Sequence, residues 1–184
     1  MKTDITDSSR RSFLAKSATL AAGSVFLNSI SEALTLHNNP DEKMKIALVG
    51  LGIRGVNMFG REVQRIYPDQ IEFVGLCDIN PGRLEFGKKH IGVDCPLYTD
   101  FDKMLAERKP DVVIVTTVDN THHEFIIKAL DFGSNVITEK PMTTDQFKCQ
   151  AILDAERKSG KKVIVTFNYR YSPHRQRMHE ILHS

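Results

Sequence analysis

No run of about 18 uninterrupted apolar residues occurs in this chain, so no membrane-spanning helix is expected. Charge of one sign is also missing. The 25 Lys and Arg against 23 Asp and Glu leave a net charge of +2. A nucleic-acid binder would carry a clustered basic excess, so no nucleic-acid partner is expected. Cysteine is scarce: Cys77, Cys95 and Cys149 are odd in number and widely scattered. They form neither a disulfide framework nor a zinc pattern. Cys77 falls within an expected buried strand and reads as a small packed thiol. No metal site is expected either. His122 and His123 are adjacent at a helix start and point different ways. His179 and His183 stand four apart with no other ligand cluster, which reads as a solvated helix face. Internal repeats and low-complexity tracts are missing. What is present is 184 residues, 41% of them hydrophobic. That is enough for one domain with a real core and marginal for two.

Residues 44–55 (MKIALVGLGIRG) carry the strongest positive signal. A short apolar strand runs straight into G-x-G-x-x-G, and a second apolar strand about 20 residues on ends in Asp78. Together these read as a dinucleotide-binding βαβ unit. Gly50 permits the tight turn, Gly52 lets the backbone approach a diphosphate, and Gly55 lets the next helix pack closely on the strand. Ile53 and Arg54 belong to the same loop; Arg54 either reaches a phosphate or is solvated. The amides at the helix start face phosphate oxygens. A carboxylate at Asp78 accepts ribose hydroxyls and repels a 2′-phosphate, which favours NAD, while nearby Arg83 keeps NADP open.

From Met44 onward, apolar runs alternate with helix-like segments. Strands are expected at 44–50, 71–77, 94–98, 111–117, 135–138 and 162–167. Helices are expected near 53–66, 80–90, 101–108, 121–132 and 143–158. The last opens Thr-Thr-Asp-Gln like an N-cap and places Phe147, Ile152 and Ala155 near helical spacing. Pro81 and Gly133 punctuate a helix start and a helix end. Near-continuous apolar strands fit a sheet covered on both faces. The fold class is therefore α/β, a doubly wound parallel sheet of the Rossmann NAD(P)-binding type.

Residues 9–16 (SRRSFLAK) resemble a twin-arginine export signal. The small-residue apolar stretch 17–30 and the Ser31-Glu32-Ala33 cleavage pattern complete its three regions. Residues 1–33 are thus expected to be an export signal and 34–43 a flexible lead-in. The expected location is exported and periplasmic, with the twin-arginine export machinery as a partner. A Rossmann protein sent there should carry its cofactor in and recycle it in place.

Two further stretches follow strand ends: Thr117-Val-Asp-Asn-Thr-His122 and Glu139-Lys140-Pro141. With the glycine loop they resemble the glucose–fructose oxidoreductase, inositol dehydrogenase and rhizopine-catabolism family (Gfo/Idh/MocA), over about residues 44–184. The resemblance implies that Thr117, Asn120 and His122 line the cofactor, where Val118 replaces the family's usual proline. It implies that Glu139 binds the nicotinamide ribose and that Lys140 assists proton movement from a substrate hydroxyl. Arg170, in Phe167-Asn-Tyr-Arg-Tyr, would stand near the carboxamide or the substrate. Hydride transfer from a secondary alcohol needs a group that accepts the hydroxyl proton, and Lys140 suits that need. The implied substrate is a carbohydrate or polyol.

Members of the family normally carry a second domain that closes over the nicotinamide and a sheet through which full-length forms become homo-oligomers. On this reading the Rossmann domain covers 44–170, and 171–184 begins a crossover helix to a second domain that is absent. Two alternatives stay open: an NAD-dependent glycosidase of the same family, and a non-catalytic dinucleotide-binding remnant.

Overall fold

A computed structural model of the chain describes residues 28–35, 42–167 and 173–183. The unit comprising residues 29–167 is built on one sheet of six parallel strands. These are β1 (Met44–Val49), β2 (Ile71–Cys77), β3 (Leu97–Tyr98), β4 (Val112–Val115), β5 (Asn135–Glu139) and β6 (Val163–Thr166). Their spatial order is β3-β2-β1-β4-β5-β6, with every pairing parallel. The order reverses between β1 and β4, so the crevice of a doubly wound sheet opens above the carboxyl ends of those two strands. The expected fold class is what the structure shows.

The central strands read as they do because they are covered on both faces. All four residues of β4 are fully buried, as are Ile46, Ala47 and Leu48 of β1. Helices supply the cover: α1 (Asn28–Thr35), α2 (π-helical over Gly55–Glu62, α-helical over Val63–Ile66), α3 (Pro81–Ile91), α4 (Phe101–Arg108), α5 (His122–Asp131) and α6 (Gln146–Ser159). Their ends are chemically marked. Asn80 caps α3 by accepting from the N–H groups of Gly82 and Arg83, with Pro81 at the first turn and Gly92 left-handed beyond the end. Asp100 and Asp145 cap α4 and α6 through the N–H groups of Lys103 and Lys148.

Several boundaries differ from expectation for identifiable reasons. The strand expected at 94–98 shrinks to two residues, because Pro96 cannot donate to a ladder. The expected helix 53–66 is π-helical over Gly55–Glu62, a winding that apolar periodicity does not distinguish from α. The last sheet helix starts at Gln146, since Asp145 rather than the threonines before it caps the end. Phe147 was expected on the buried face of that helix and is 78% exposed, whereas Ile152 and Ala155 are buried. Phe147 lies five residues before Ile152, about 140° round the helix, so the two cannot share a face.

Ala33 of α1 is buried and lines a cavity of about 420 Å³ with Met44, Leu105, Phe132 and Lys161. The cavity lies at the amino-terminal ends of the strands, opposite the crevice. The expected signal boundary after Ala33 falls within α1, while residues 1–27 and 36–41 lie outside the described residues. Helix α7 (Pro173–Leu182) belongs to a separate unit, and residues 174–183 are all exposed. On it, the rings of His179 and His183 stack with centroids 4.0 Å apart. Among the described residues no His/Cys/Asp/Glu cluster could hold a metal, and no helix is long and apolar enough to cross a membrane.

Candidate functional site

The glycine loop leaves β1 at Gly50, whose φ of +89° is a conformation that side chains resist. A Cβ there would also meet the backbone of Thr116 at 2.6 Å. Gly55 begins the π-helical stretch against the same turn: a Cβ would collide with the Gly50 carbonyl oxygen and lie 2.5 Å from Thr116 Oγ1. At Gly52 nothing lies within 4 Å of the Cβ position. The three glycines therefore do different work. Two let β1, α2 and β4 close on one another, and the third leaves a bare backbone facing open space at the start of a helix, where an anion is favoured. Ile53 in this loop is 87% exposed.

Asp78 follows β2 and is buried. Its Oδ2 accepts the N–H of Leu51 at 2.7 Å, and its Oδ1 accepts the N–H of Asn80 at 2.9 Å. The carboxylate thus ties the glycine loop to the start of α3. Each oxygen keeps a second lone pair for a hydroxyl donor.

Across the crevice, β5 ends in Glu139, which is buried. Its Oε1 accepts Arg54 Nε–H at 2.6 Å, and its Oε2 accepts the Lys140 N–H at 3.1 Å. Arg54 thus spans from the N-cap of α2 to the end of β5. Lys140 is exposed and its ammonium makes no hydrogen bond or ion pair among the described residues. The Lys140–Pro141 peptide is cis.

His122, expected to line the cofactor, opens α5 after the loop that follows β4. Its ring is fully buried, with Nδ1 2.9 Å from the Pro141 carbonyl oxygen and Nε2 3.2 Å from that of Thr117. His122 so joins the loop after β4 to the loop after β5. Thr117 is half-buried, with its hydroxyl 3.0 Å from that of Thr121, and Asn120 is exposed on the 3₁₀ turn Asp119–Thr121. Lys148 of α6 donates to the Asn120 carbonyl at 3.3 Å. Arg170 lies outside the described residues.

The family model described as an oxidoreductase family with an NAD-binding Rossmann fold matches residues 44–167. This chain belongs to that family, Gfo/Idh/MocA. YteT of Bacillus subtilis is 38% identical to it over 141 residues, covering 74% of this chain and 33% of YteT. An inositol 2-dehydrogenase/D-chiro-inositol 3-dehydrogenase of Lactiplantibacillus plantarum is 27% identical over 139 residues, covering 75% of this chain and 39% of that enzyme. Among solved structures, the WlbA dehydrogenase of Chromobacterium violaceum, in complex with NADH and UDP-GlcNAcA, is 30% identical with a TM-score of 0.63. That match covers 70% of this chain and 36% of WlbA. The chain thus spans between 33% and 39% of the length of these Gfo/Idh/MocA relatives.

The Gfo/Idh/MocA domain described here is an NAD-binding Rossmann domain, and its own residues fit that cofactor. The open approach at Gly52 suits a diphosphate, and Asp78 sits one strand away with lone pairs free for a ribose hydroxyl. Sequence reasoning missed Thr116, whose hydroxyl donates to the Gly50 carbonyl at 2.6 Å and so holds the glycine turn. A threonine at the carboxyl end of β4 is the available signal. It also missed Ile79, which follows β2 and is 88% exposed, as Val118 after β4 is 72% exposed. Large apolar residues placed directly after strands in otherwise polar loops mark them.

Proposed function

We propose that this chain is the cofactor-holding part of an exported carbohydrate or polyol oxidoreductase that keeps its NAD bound. The carrying observation is the position of Glu139 and Lys140: they stand at the carboxyl end of β5, two strands from a glycine loop built to take a diphosphate. A dinucleotide laid along the crevice has its adenosine half towards Asp78 and its nicotinamide half towards β4 and β5. Bound NAD supplies a hydride acceptor for an alcohol carbon.

The chain supplies the rest. Glu139 is a fixed carboxylate whose remaining lone pairs suit a ribose hydroxyl. Lys140, exposed beside it, presents Nζ as the group that receives or returns the hydroxyl proton. Ile79 and Val118 offer apolar surface to a flat base. Buried His122 positions Pro141, and hence Lys140, without touching the ligand. The substrate class, a ring carrying secondary hydroxyls, is supported by the names of the relatives, which include an inositol dehydrogenase and an enzyme solved with UDP-GlcNAcA. Export is supported by the order of charged, apolar and small-residue regions in residues 9–33.

The test is direct. NAD titrated calorimetrically into the purified chain should bind, and nucleotide released by denaturing protein from the exported fraction should be NAD or NADH. No heat with NAD or NADP, and no nucleotide in the extract, would defeat the proposal.

A further inference from the structure

Arg54 and Glu139 belong to elements that serve opposite halves of a dinucleotide. Arg54 is the N-cap of α2, two residues after Gly52, with 40% of its side chain exposed. It therefore adjoins the α2 amides, where an anion is favoured. Glu139 closes β5 with 9% of its side chain exposed, and a buried carboxylate of this kind needs a charged or hydrogen-bonding partner. The ends of β1 and β5 lie roughly 10 Å apart, two strand spacings, with the end of β4 between them. The 2.6 Å contact therefore crosses above Thr116 and Thr117, along the line from the glycine loop to Lys140. The oxygen that Arg54 occupies, Oε1, is the one not already held by the Lys140 amide.

We infer that Arg54 exchanges partners. Glu139 holds the guanidinium until a diphosphate seated on α2 takes it, and the exchange frees Glu139 Oε1 to accept from the nicotinamide ribose. A diphosphate carries more charge than one carboxylate and lies against the same helix turn, so it competes effectively. Seating of the nicotinamide half is thereby made to follow seating of the diphosphate. The inference rests on the NAD reading above.

ADP carries the diphosphate without the nicotinamide ribose and is the probe. It is titrated calorimetrically into wild type, Glu139→Gln, Arg54→Gln and the double variant. Glu139→Gln should bind ADP about three- to tenfold tighter than wild type, because the guanidinium is no longer held by a carboxylate. That gain should vanish when Arg54 is Gln. A gain that persists without Arg54 would report only the loss of a negative charge near the diphosphate and would overturn the exchange. Unchanged or weaker ADP binding by Glu139→Gln would overturn it too. In wild type, the Arg54 Nε–H magnetic resonance, assigned by its loss in Arg54→Lys, should move on addition of ADP; a resonance unmoved at saturation counts against the exchange even if the Gln variants do not fold. If wild type bound neither ADP nor NAD, the dinucleotide reading would fall together with this one. ADP binding without the coupling would remove the exchange alone.

Discussion

Oδ2 of Asp78 and the amide of Leu51, 27 residues apart in the chain, meet at 2.7 Å. The carboxylate that suits an adenosine ribose is also a structural tie. With Asn80 it accepts two backbone N–H groups, one from each of two loops. Asp78→Ala would leave both amides without that acceptor. It should destabilise the chain by about 1–3 kcal/mol in urea unfolding. In the same variant NAD binding should weaken more than about tenfold and the preference for NAD over NADP should disappear, since nothing then repels a 2′-phosphate. An unchanged urea midpoint would refute the structural half of this account, and a retained NAD preference the other half.

Two glycines in one loop should respond oppositely. Gly55→Ala drives a methyl into the Gly50 carbonyl oxygen and should cost about 1–3 kcal/mol or more of stability. Gly52→Ala places its methyl in open space, so the midpoint of unfolding should hold within about 0.5 kcal/mol. NAD affinity should nevertheless drop at least about tenfold, because the methyl stands where the diphosphate approaches. Parallel denaturation and titration of both variants separate the two effects.

Burial pushes the Cys77 thiol up from 9.0 to about 12, and the Cys95 thiol to about 11. At pH 8 the thiolate of Cys77 is then on the order of one in ten thousand. Half-buried Cys149 should be alkylated first in the native chain, with Cys77 and Cys95 labelled only on unfolding, as peptide mass mapping would reveal. The same burial sets a pH dependence. Between pH 9 and about 12 the unfolded thiols have lost protons that the folded ones keep, so the unfolded state binds fewer protons and stability falls as pH rises. That contribution is fully present below pH 9. A chain that melted at the same temperature at pH 8 and pH 10.5 would contradict it.

His122, whose Nδ1 lies 2.9 Å from the Pro141 carbonyl oxygen, ties the loop after β4 to the loop after β5. His122→Phe keeps the ring volume and removes both nitrogens. It should destabilise the chain by about 1–3 kcal/mol and leave ADP affinity within about threefold, since the ring is fully buried. A loss of ADP binding with unchanged stability would instead return His122 to the cofactor surface.

The sheet and its glycine loop were legible in the sequence because each rests on a local rule. Strands buried on both faces are apolar throughout, and only glycine meets the demands at Gly50 and Gly55. What escaped depends on contacts between distant segments. Nothing near Arg54 announces that Glu139, 85 residues on, will take its guanidinium. Nor does anything near His122 announce that its ring nitrogens will face the carbonyl oxygens of Pro141 and Thr117. The π-helical winding of Gly55–Glu62 leaves no periodic trace that separates it from an α-helix. Phe147 shows the limit of approximate spacing, since a five-residue step leads off the buried face.

Export, proposed from residues 9–33, makes a claim that meets the structure at α1. Cleavage after Ala33 would remove the buried Ile30 and Ala33 and open the cavity beside Met44, Leu105 and Phe132. Produced with the whole chain in a bacterium that has twin-arginine machinery, wild type should appear in the exported fraction and Arg10→Lys/Arg11→Lys should be retained inside. Equal distribution of the two would defeat the export proposal. The mass of the exported form then reports processing. A chain beginning at Leu34 should unfold at lower urea than the uncut one, by about 1–3 kcal/mol for the lost apolar side chains. Equal stability of the two forms would mean that α1 contributes nothing to the fold it lies against.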